Sequence, residues 1–313
     1  MKTIAFLYLG VALSLILLFV SLLIPLPKKP AEKAGIPKTL AVSTQQSKLE
    51  VILTGDVMLG RTVEIKSAEE GDYAYAFRKV GESLRQADIV FINLENPIIE
   101  DCPPHTDGFK FCASPKMLEG LVFSGVDIVN LANNHAGNYG QKGIEETQSL
   151  LRQKGIAATG LGELVILERE DTLFGFLGFD LTTRNLSEED LMIINQSNTK
   201  VDVLIIGVHW GVEYTQTPTD TQRVWAREII EAGADAIAGH HPHWVQSSEI
   251  IDGKPVYYSL GNFVFDQMWS ERTREGTVVE LTFRDGKLDS LGERQTYMFF
   301  WARPSFSDAY PGN

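Results

Sequence analysis

The sequence of 313 residues predicts an α/β domain with one or two mixed β-sheets, preceded by a hydrophobic N-terminal segment. From Leu49 onward, short apolar runs alternate with amphipathic segments, which is typical of strands and helices that follow one another. A hairpin pattern at 276–291 comes after them and turns at Asp285-Gly286. The composition, with 44% hydrophobic and 22% charged residues, is that of a globular protein and excludes a disordered or collagen-like chain.

Seven segments have the pattern of strands, and the first six are apolar at nearly every position, as in buried parallel strands. They are 49–55, 88–95, 126–132, 173–179, 201–209, 234–239 and 255–261. Helices are predicted between them at 74–87, 115–123 and 141–154. Capping-box sequences at Ser187 and Thr219 predict two more helices, and the second of these is expected to end at Gly233.

The N-terminal segment predicts a membrane anchor. No charge interrupts residues 3–24, and a helix of that length spans the hydrocarbon core of a bilayer, about 30 Å. A cleaved signal peptide is the alternative, but its apolar core is normally shorter and is followed by a small-residue cleavage site. We therefore expect an anchor at 1–24, a proline-rich linker at 25–48, one domain at 49–300 and a C-terminal tail at 301–313.

The charge distribution limits the possible partners. The net charge is −13, and residues 1–40 contribute +4, which leaves −17 on the remainder. A body this acidic lacks the clustered Lys and Arg that nucleic acid requires, so no nucleic-acid partner is expected. Positive charges flanking the apolar segment would by simple counting place the body in the cytoplasm, because four lysines follow the segment and only Lys2 precedes it.

Two cysteines, Cys102 and Cys112, are close in sequence. A disulfide between them would close a short loop, and it would favour an exported domain. Two unpaired thiols are the alternative. A zinc site is disfavoured because the spacing is not that of a zinc knuckle.

Residues with ligand chemistry recur directly after the predicted strands, where open α/β sheets place their sites. Five of the six histidines lie in these segments, and only His105 does not. Carboxylate, amide and imidazole groups together favour a borderline divalent cation such as Mn²⁺, Zn²⁺ or Fe²⁺, whereas an all-oxygen set would favour Mg²⁺ or Ca²⁺. The segments are GDVMLGR at 55–61, NLENP at 93–97, NNH at 133–135, HWGVEY at 209–214, GHHPH at 239–243 and SLGNF at 259–263.

The His-Pro-His sequence suggests which imidazoles share a site. In an extended segment, residues i and i+2 point to the same side. His241 and His243 are therefore expected to face one site, with His240 pointing away. The alternative pair, His240 and His243, requires a helical turn, which Pro242 disfavours.

These motifs resemble the CapA family of poly-γ-glutamate capsule synthesis proteins. The resemblance rests on GDVMLGR, NLENPI, LANNHAGNYG, VHWGVEY, GHHPHWVQ and YSLGNFVFDQ in this order, and it covers about residues 51–285. The family is similar to calcineurin-like metallophosphoesterases. The resemblance therefore implies a four-layer α/β/β/α sandwich of two mixed sheets, with a two-metal site at the strand ends. It also implies a single-pass anchor in the cell membrane with the domain outside the cytoplasm. This location is opposite to the one that the lysines flanking the apolar segment predict.

The same resemblance implies a set of ligands and two departures from the pattern. Met58 stands where the first phosphoesterase motif has a His, so one or two ions are possible. Asn138 stands where family members often carry Asp. The implied metal ligands are Asp56, Glu95, Asn134, His209, His241 and His243.

The predicted function is a metal-dependent hydrolase or transferase that acts on a phosphoester or on an amide of an anionic polymer. His135 is the expected general acid, and the planar fork of Arg61 is expected to clamp a phosphate or carboxylate. For Arg61 the alternative is an ion pair within the protein. Further expected substrate contacts are Trp210, Glu213, Tyr214 and Asn262, and core packing is the alternative for the aromatic residues among them.

A second hypothesis is a non-catalytic metal- or polymer-binding subunit of a capsule synthesis or export complex. The partners would then be other capsule synthesis subunits. The missing first-motif His and the predicted anchor favour this hypothesis.

Overall fold

A computed structural model of the chain describes residues 48–307. The predicted anchor, nearly all of the predicted linker and the last residues of the predicted tail lie outside this range. None of the helices between residues 48 and 307 combines the length and the apolar composition that a transmembrane span needs.

Strands and helices alternate along the described chain as the sequence predicts. The strands are β1 Lys48–Val57, β2 Ile89–Leu94, β3 Ile128–Asn130, β4 Ala157–Thr159, β5 Val165–Arg169, β6 Thr172–Asp180, β7 Val203–His209, β8 Ala236–His240, β9 Ser248–Ile251, β10 Lys254–Tyr257, β11 Asn262–Val264, β12 Glu275–Arg284, β13 Lys287–Phe300 and β14 Arg303–Phe306. The helices are α1 Arg61–Glu69, α2 Gly81–Leu84, α3 Leu118–Phe123, α4 Gly140–Gln153, α5 Glu188–Asn198 and α6 Asp220–Glu231. Three 3₁₀ turns complete them at Tyr75–Phe77, Pro115–Met117 and Arg272–Arg274.

The strands form two mixed sheets, as predicted. The first has the order β14-β13-β12-β1-β2-β3-β4, and β11 also pairs with β1. The second has the order β5-β6-β7-β8-β10-β9. In the first sheet β1 to β4 are parallel and extend to one edge, and the antiparallel strands β12 to β14 form the other side. In the second sheet β6, β7, β8 and β10 are parallel, and antiparallel strands lie at both edges. The parallel strands therefore bring several motif segments to one edge of each sheet.

Three hydrophobic cores separate the layers. The outer face of the first sheet, with Ile52 and Val90, packs on α1 to α4. Its inner face, with Val51 and Phe91, packs on the second sheet. The outer face of the second sheet packs on α5 and α6. The order is thus helices, sheet, sheet, helices, and burial on both faces explains why these strands are apolar at consecutive positions.

Some predicted elements differ from the structure. Residues 74–87 do not form one helix but a 3₁₀ turn and the short α2, because Gly81 has a low helix propensity and the backbone leaves helical geometry at Val80. Both predicted capping boxes are present, and the chain leaves α6 through Gly233 with φ +118°. Residues 303–306, which the sequence assigned to the tail, form the edge strand β14.

Close backbone packing brings the strand ends together. A Cβ on Gly55 would lie 2.2 Å from the carbonyl oxygen of Gly261, and one on Gly239 would lie 2.2 Å from that of Tyr258. Only glycine allows these approaches. Since Gly55 and Gly239 immediately precede Asp56 and His240, the two contacts set the positions of motif side chains.

Truncating the core between the sheets should lower stability. Phe91 is fully buried and stacks on Phe176 with ring centroids 5.8 Å apart. Phe91→Ala is expected to lower the free energy of unfolding by about 3–5 kcal/mol, because the cavity adds to the lost burial. Urea denaturation measures this. Ile250→Ala, at a position that is 59% exposed, is the control and should change stability by no more than about 0.5 kcal/mol. Equal effects of both would contradict the assignment of the core.

Candidate metal site

The strand ends bring five of the motif segments together. Asp56 at the end of β1 is paired with Asn93 of β2 on one side and with Asn262 of β11 on the other. In the second sheet, His209 of β7 pairs with His240 of β8. The site therefore lies where the carboxyl ends of the parallel strands of both sheets meet, as expected for α/β proteins.

The carboxylate of Asp56 is the most connected group of the site and is fully buried. Its Oδ1 accepts a hydrogen bond from Asn93 Nδ2 at 2.9 Å and lies 3.2 Å from His240 Nδ1. Its Oδ2 lies 3.2 Å from His243 Nδ1 and accepts a bond from the backbone N of His241 at 3.3 Å. Burial raises the pKa of Asp56, but His240 and His243 outweigh it, and the pKa stays well below its usual range. This side chain is therefore a carboxylate anion at neutral pH.

Glu95 is the second buried carboxyl group of the site. Its Oε1 accepts a hydrogen bond from Asn93 Nδ2 at 3.2 Å and lies 3.7 Å from His209 Nε2. Burial raises the pKa of Glu95 well above its ordinary value, and the nearby charge of Asp56 raises it further. Two carboxylates this close cannot both stay ionised without positive charge between them. The pair therefore calls for a proton or a cation.

His209 completes a compact group of three ligands. Ligand atoms of Asp56, Glu95 and His209 all lie within 4.8 Å of one another. Burial lowers the pKa of His209 well below its ordinary value, so the imidazole is neutral. His209 Nε2 also lies 3.1 Å from Asn134 Oδ1. Asn134 is thus in contact with the group, as the predicted set requires.

The His-Pro-His segment reaches the site, but its conformation is not the extended one that the prediction assumed. His241 and His243 have φ of +96° and +56°, so this segment is a turn. Their rings lie 6.2 Å apart, and the ring of His241 lies 4.8 Å from that of His209. His240 does not point away, since its Nδ1 lies 3.2 Å from Asp56. The prediction failed for His240 because the i, i+2 rule holds only for extended backbone.

Backbone strain is concentrated at the site. Among the described residues, eight that are not glycine have positive φ, and four of them belong to motif segments. Those four are Arg61, Tyr214, His241 and His243. Such conformations cost on the order of 1–3 kcal/mol each and persist where the surrounding structure enforces them, often at functional sites.

Asn262 does not have the substrate-facing position that the sequence predicted. It is 1% exposed, and its Oδ1 lies 2.9 Å from His243 Nδ1. Its Nδ2 donates to Gln267 Oε1 and to the backbone oxygen of Thr273. With both ends of the amide engaged, Asn262 orients His243 and leaves the other ring nitrogen free to act as a ligand.

His135 lies at the edge of the site under a cover of aromatic groups. Its ring stacks on that of Phe111 with centroids 4.1 Å apart, and its Nδ1 lies 3.4 Å from Asn138 Oδ1. Burial lowers the pKa of His135 to about 4, although the hydrogen bond with Asn138 raises it. The imidazole is therefore neutral at pH 7 in the protein without substrate. A general acid here needs a substrate anion, which favours the protonated ring.

Arg61 already has partners within the protein. Its Nε donates to Asp266 Oδ2 at 3.1 Å, its Nη2 also binds the Asp266 carboxylate, and its Nη1 donates to the backbone oxygen of Gly108 at 3.0 Å. The planar fork is thus occupied by Asp266, which is the ion pair that the sequence left open. Two N–H groups, one on each Nη, are left for a substrate anion.

The predicted aromatic and acidic substrate contacts separate into two groups. Trp210 is fully buried, and its Nε1 donates to the backbone oxygen of Tyr258, so it belongs to the core and does not reach the site. Tyr214 and Glu213 are partly buried beside the histidines. Burial, with the adjacent charge of Glu213, raises the pKa of Tyr214 to about 12, which keeps its hydroxyl neutral. The exposed Trp269 packs edge-on against Tyr214 at 5.0 Å.

Several site residues were not predicted from the sequence. Asn93 is the main one, since its amide touches Asp56, Glu95 and His209. A polar Asn inside the apolar run VFINLE was a signal for it, and the Asn in IVNLA was a similar signal. The others are Asn130 and Asn133, which donate to Asn93, and Asp180, which lies opposite His209 in the register of β6 and β7 and is one of the charges that, after burial, raise the pKa of Glu95. His240 belonged only to the alternative pair, and the structure places it beside Asp56.

The two cysteines form a disulfide, as one of the alternatives predicted. The bond joins Cys102 and Cys112 with Cα atoms 5.8 Å apart. It closes the segment that carries Phe111, which we call the disulfide loop (residues 102–112). His105 of this loop is the histidine that lies outside the site, and with both sulfurs in the disulfide no thiolate is left to bind zinc.

The donor set fits a divalent cation. Glu95 Oε2 and His241 Nδ1 are buried and find no hydrogen-bond partner among the described residues. Buried polar atoms are normally paired, so two unpaired ligand atoms beside a carboxylate anion fit the binding of a cation. The mixture of carboxylate and imidazole groups suits Mn²⁺, Zn²⁺ or Fe²⁺, and the described ligands do not identify which. Such a set can polarise a phosphoryl or carbonyl group that is held beside it.

Replacing Glu95 should separate metal binding from stability. Glu95→Gln is expected to weaken binding of Mn²⁺ or Zn²⁺ by at least about tenfold, because an amide is a poorer ligand than a carboxylate. The same change should leave the metal-free protein equally or more stable, because it removes the buried acid whose pKa is raised. Equilibrium dialysis and urea denaturation measure the two effects. His105→Ala is the control for binding. A variant that keeps wild-type affinity would exclude Glu95 as a ligand.

Restoring a carboxylate at position 138 should act on His135. Asn138→Asp is expected to raise the pKa of His135 from about 4 by about 1–3 units, because an adjacent carboxylate favours the charged imidazole. An NMR titration of the ring proton measures this in the metal-free protein. Asn185→Asp, which adds the same charge at an exposed position, should leave the titration unchanged. A lack of change at His135 in both variants would show that residue 138 does not bond to the ring.

Comparison with known families places the site among related proteins. The family of bacterial capsule synthesis proteins, PGA_cap, matches residues 50–187 and 180–267. The capsule biosynthesis protein CapA of Bacillus anthracis is 32% identical over 271 residues, which cover 77% of this chain and 65% of that protein. The PGA biosynthesis protein CapA of Bacillus subtilis is 32% identical over 279 residues, which cover 80% and 71%. The chain thus spans slightly less than two thirds of the first relative.

Solved structures are similar in fold at low sequence identity. A hypothetical protein from Thermus thermophilus has a TM-score of 0.53 at 14% identity, over 79% of this chain and 98% of that one. A phosphatase from Mycoplasma pneumoniae has a TM-score of 0.51 at 15% identity, over 80% and 94%. At these identities the likeness concerns the fold alone.

Proposed function

This chain belongs to the PGA_cap family of bacterial capsule synthesis proteins, and we propose that it is a metal-dependent hydrolase or transferase of capsule polymer synthesis or export. Its proposed substrate is a phosphoester or an amide of an anionic polymer such as poly-γ-glutamate. The two CapA relatives, named for capsule and PGA biosynthesis, support the polymer. The phosphatase among the structural neighbours supports a hydrolytic site of this fold.

One observation carries the proposal: two buried carboxyl groups and neutral imidazoles converge at the strand ends with ligand atoms unpaired. Buried polar groups of this kind lower stability unless they are paired or bind a metal. Buried polar atoms without a hydrogen-bond partner are therefore typical of functional sites. Asp56, Glu95 and His209 would hold a first cation, with Asn134, His241 and His243 beside them for the same or a second cation. A cation bound there supplies Lewis-acid polarisation of the scissile group.

The protein's own residues complete the proposed reaction. His135 lies beside the ligand group and delivers a proton to the leaving group once a bound anion has raised its pKa. Tyr214 and Glu213 lie on the side of His243 and contact the remainder of the substrate. Arg61, held by Asp266, contributes positive charge near the site from a fixed position.

We further propose that the domain is exported and held at the cell membrane by residues 1–24. The uninterrupted apolar sequence of residues 3–24 supports the anchor. The disulfide supports export, because disulfides persist in oxidising compartments. The location is tested by fusing, after Asn313, a reporter protein that fluoresces only in the cytoplasm. An exported domain should give no fluorescence, and a fluorescent fusion would contradict the proposal.

A second candidate function is a non-catalytic metal- or polymer-binding subunit that acts with other capsule synthesis subunits. Met58 favours it, because this side chain replaces a ligand of the phosphoesterase pattern and is fully buried in a hydrophobic core. The ion pair with Asp266 favours it as well, since it occupies part of the Arg61 guanidinium. Metal content alone does not separate the two candidates; turnover does.

Substitution of the ligands tests the catalytic proposal. The full chain, loaded with Mn²⁺ or Zn²⁺, is assayed with a chromogenic phosphodiester and with poly-γ-glutamate. Asp56→Ala and His241→Ala are expected to lower activity by at least about 100-fold, because the polarising charge contributes several kcal/mol to the transition state. His105→Ala is the matched control, an imidazole outside the site. Turnover that survives in purified Asp56→Ala protein would refute the metal-dependent mechanism, and binding of polymer without turnover by wild type would favour the second candidate.

A further inference from the structure

The disulfide loop is anchored at the edge of the site. Ala113, directly after the loop, exchanges backbone hydrogen bonds with Pro97 and Ile99 beside the Asn-Leu-Glu-Asn motif. The carbonyl of Cys112 lies so close to Gly60 that a Cβ on that glycine would be 2.0 Å from its oxygen. The end of the loop is therefore fixed on the segments that follow β1 and β2, close to Asp56 at the end of β1 and to Glu95 directly after β2.

Phe111 is the side chain through which the loop reaches the site. It is 3% exposed, whereas Phe109 in the same loop is 80% exposed. The ring of Phe111 stacks on His135 at 4.1 Å and meets Phe265 edge-on at 6.2 Å. Phe265 in turn meets the ring of His243 edge-on at 4.9 Å. One phenyl ring thus supports the expected proton donor directly and a predicted ligand through one further ring.

The same residue is tied to His135 and Arg61 by two other contacts. The backbone N of Phe111 donates to Asn138 Oδ1 at 2.6 Å, and that oxygen lies 3.4 Å from His135 Nδ1. The guanidinium carbon of Arg61 lies 4.6 Å from the centre of the Phe111 ring, within cation–π distance. Arg61 also donates to the backbone of Gly108 in the loop. Displacement of Phe111 would therefore remove a contact of both side chains, although Arg61 would keep its bonds to Asp266.

We infer that Phe111 is a positioning residue, held in place by the Cys102–Cys112 disulfide, that fixes the imidazole ring of His135 at the site and supports the guanidinium of Arg61 from one side. Without the phenyl ring, the imidazole of His135 loses the surface that defines its rotamer. Proton transfer depends on distance and alignment, and a displacement of about 1 Å can cost on the order of 100-fold in rate. The kinetic consequence rests on the proposed hydrolase or transferase activity, but the placement of His135 does not.

The first test compares Phe111→Leu with Phe109→Leu and Phe111→Tyr in the full chain. NMR of the His135 ring proton in the metal-free protein is the readout that does not depend on activity. In Phe111→Leu the resonance moves in any case, because the ring current of the phenyl group is gone, so the position of the imidazole is measured from the nuclear Overhauser contacts between the His135 ring and Asn138. These contacts are expected to weaken in Phe111→Leu, whereas Phe111→Tyr and Phe109→Leu should retain them. Wild-type contacts between His135 and Asn138 in Phe111→Leu would overturn the inference even if no substrate is ever found.

Kinetics provide the second readout. With a substrate that wild type turns over, Phe111→Leu should lower kcat by on the order of 10- to 100-fold with KM and metal content unchanged, and Phe111→Tyr should restore kcat. A loss of kcat that is matched by loss of metal or by unfolding would overturn the positioning role in favour of a structural one.

A double serine variant tests the role of the disulfide. Cys102→Ser with Cys112→Ser should shift the His135 resonance in the same direction as Phe111→Leu, while circular dichroism of the remaining domain stays at the wild-type level. A folded double variant with a wild-type His135 resonance would show that the disulfide does not hold Phe111. Absence of all turnover in wild type, with the expected NMR results, would refute the proposed function and leave the positioning of His135 intact.

Discussion

The burial of two carboxyl groups side by side is the constraint on which the rest of this structure depends. Asp56 and Glu95 are both fully buried, and the amide of Asn93 donates to each. Removing a carboxylate from water costs several kcal/mol, and a second negative charge nearby adds to the cost. The carboxylate of Asp56 is stabilised by an amide N–H, a histidine N–H and a backbone N–H. Glu95 has fewer donors, and its Oε2 has no hydrogen-bond partner among the described residues. A proton or a cation between the two carboxyl groups would balance their negative charge.

The fold makes this arrangement possible by placing both groups on neighbouring parallel strands. β1 and β2 lie in the middle of the first sheet and are covered on both faces, so their ends are rigid. The second sheet brings His209 and His240 from its own parallel strands. Positive φ at His241 and His243 then turns two further imidazoles back toward Asp56. Strain in this turn is tolerated because the two stacked sheets and the Asn262 hydrogen bond hold it.

The acidic composition bears on the proposed substrate. Residues 41–313 carry a net charge of −17, which repels anions in general, so the proposed binding of an anionic polymer requires local positive charge. A cation held by the convergent ligand group would supply that charge, whereas the charge of Arg61 is already paired with Asp266. The remaining carboxylates are spread over the exposed surface and favour solubility.

The sequence by itself determined the elements that depend on local patterns. Buried strands appear as apolar runs, capping boxes fix where α5 and α6 begin, and Asp285-Gly286 makes the hairpin turn, because these features arise from neighbouring residues. Motif positions after strands also predicted most of the residues that meet at the strand ends, since parallel strands end at one edge. Only the tertiary structure decided the partners of those residues. Arg61 binds Asp266, which is 205 positions away in the sequence. Trp210 packs in the core, and the amide of Asn93 donates to both Asp56 and Glu95. Such choices depend on which distant groups share a buried volume, and no local spacing contains that information.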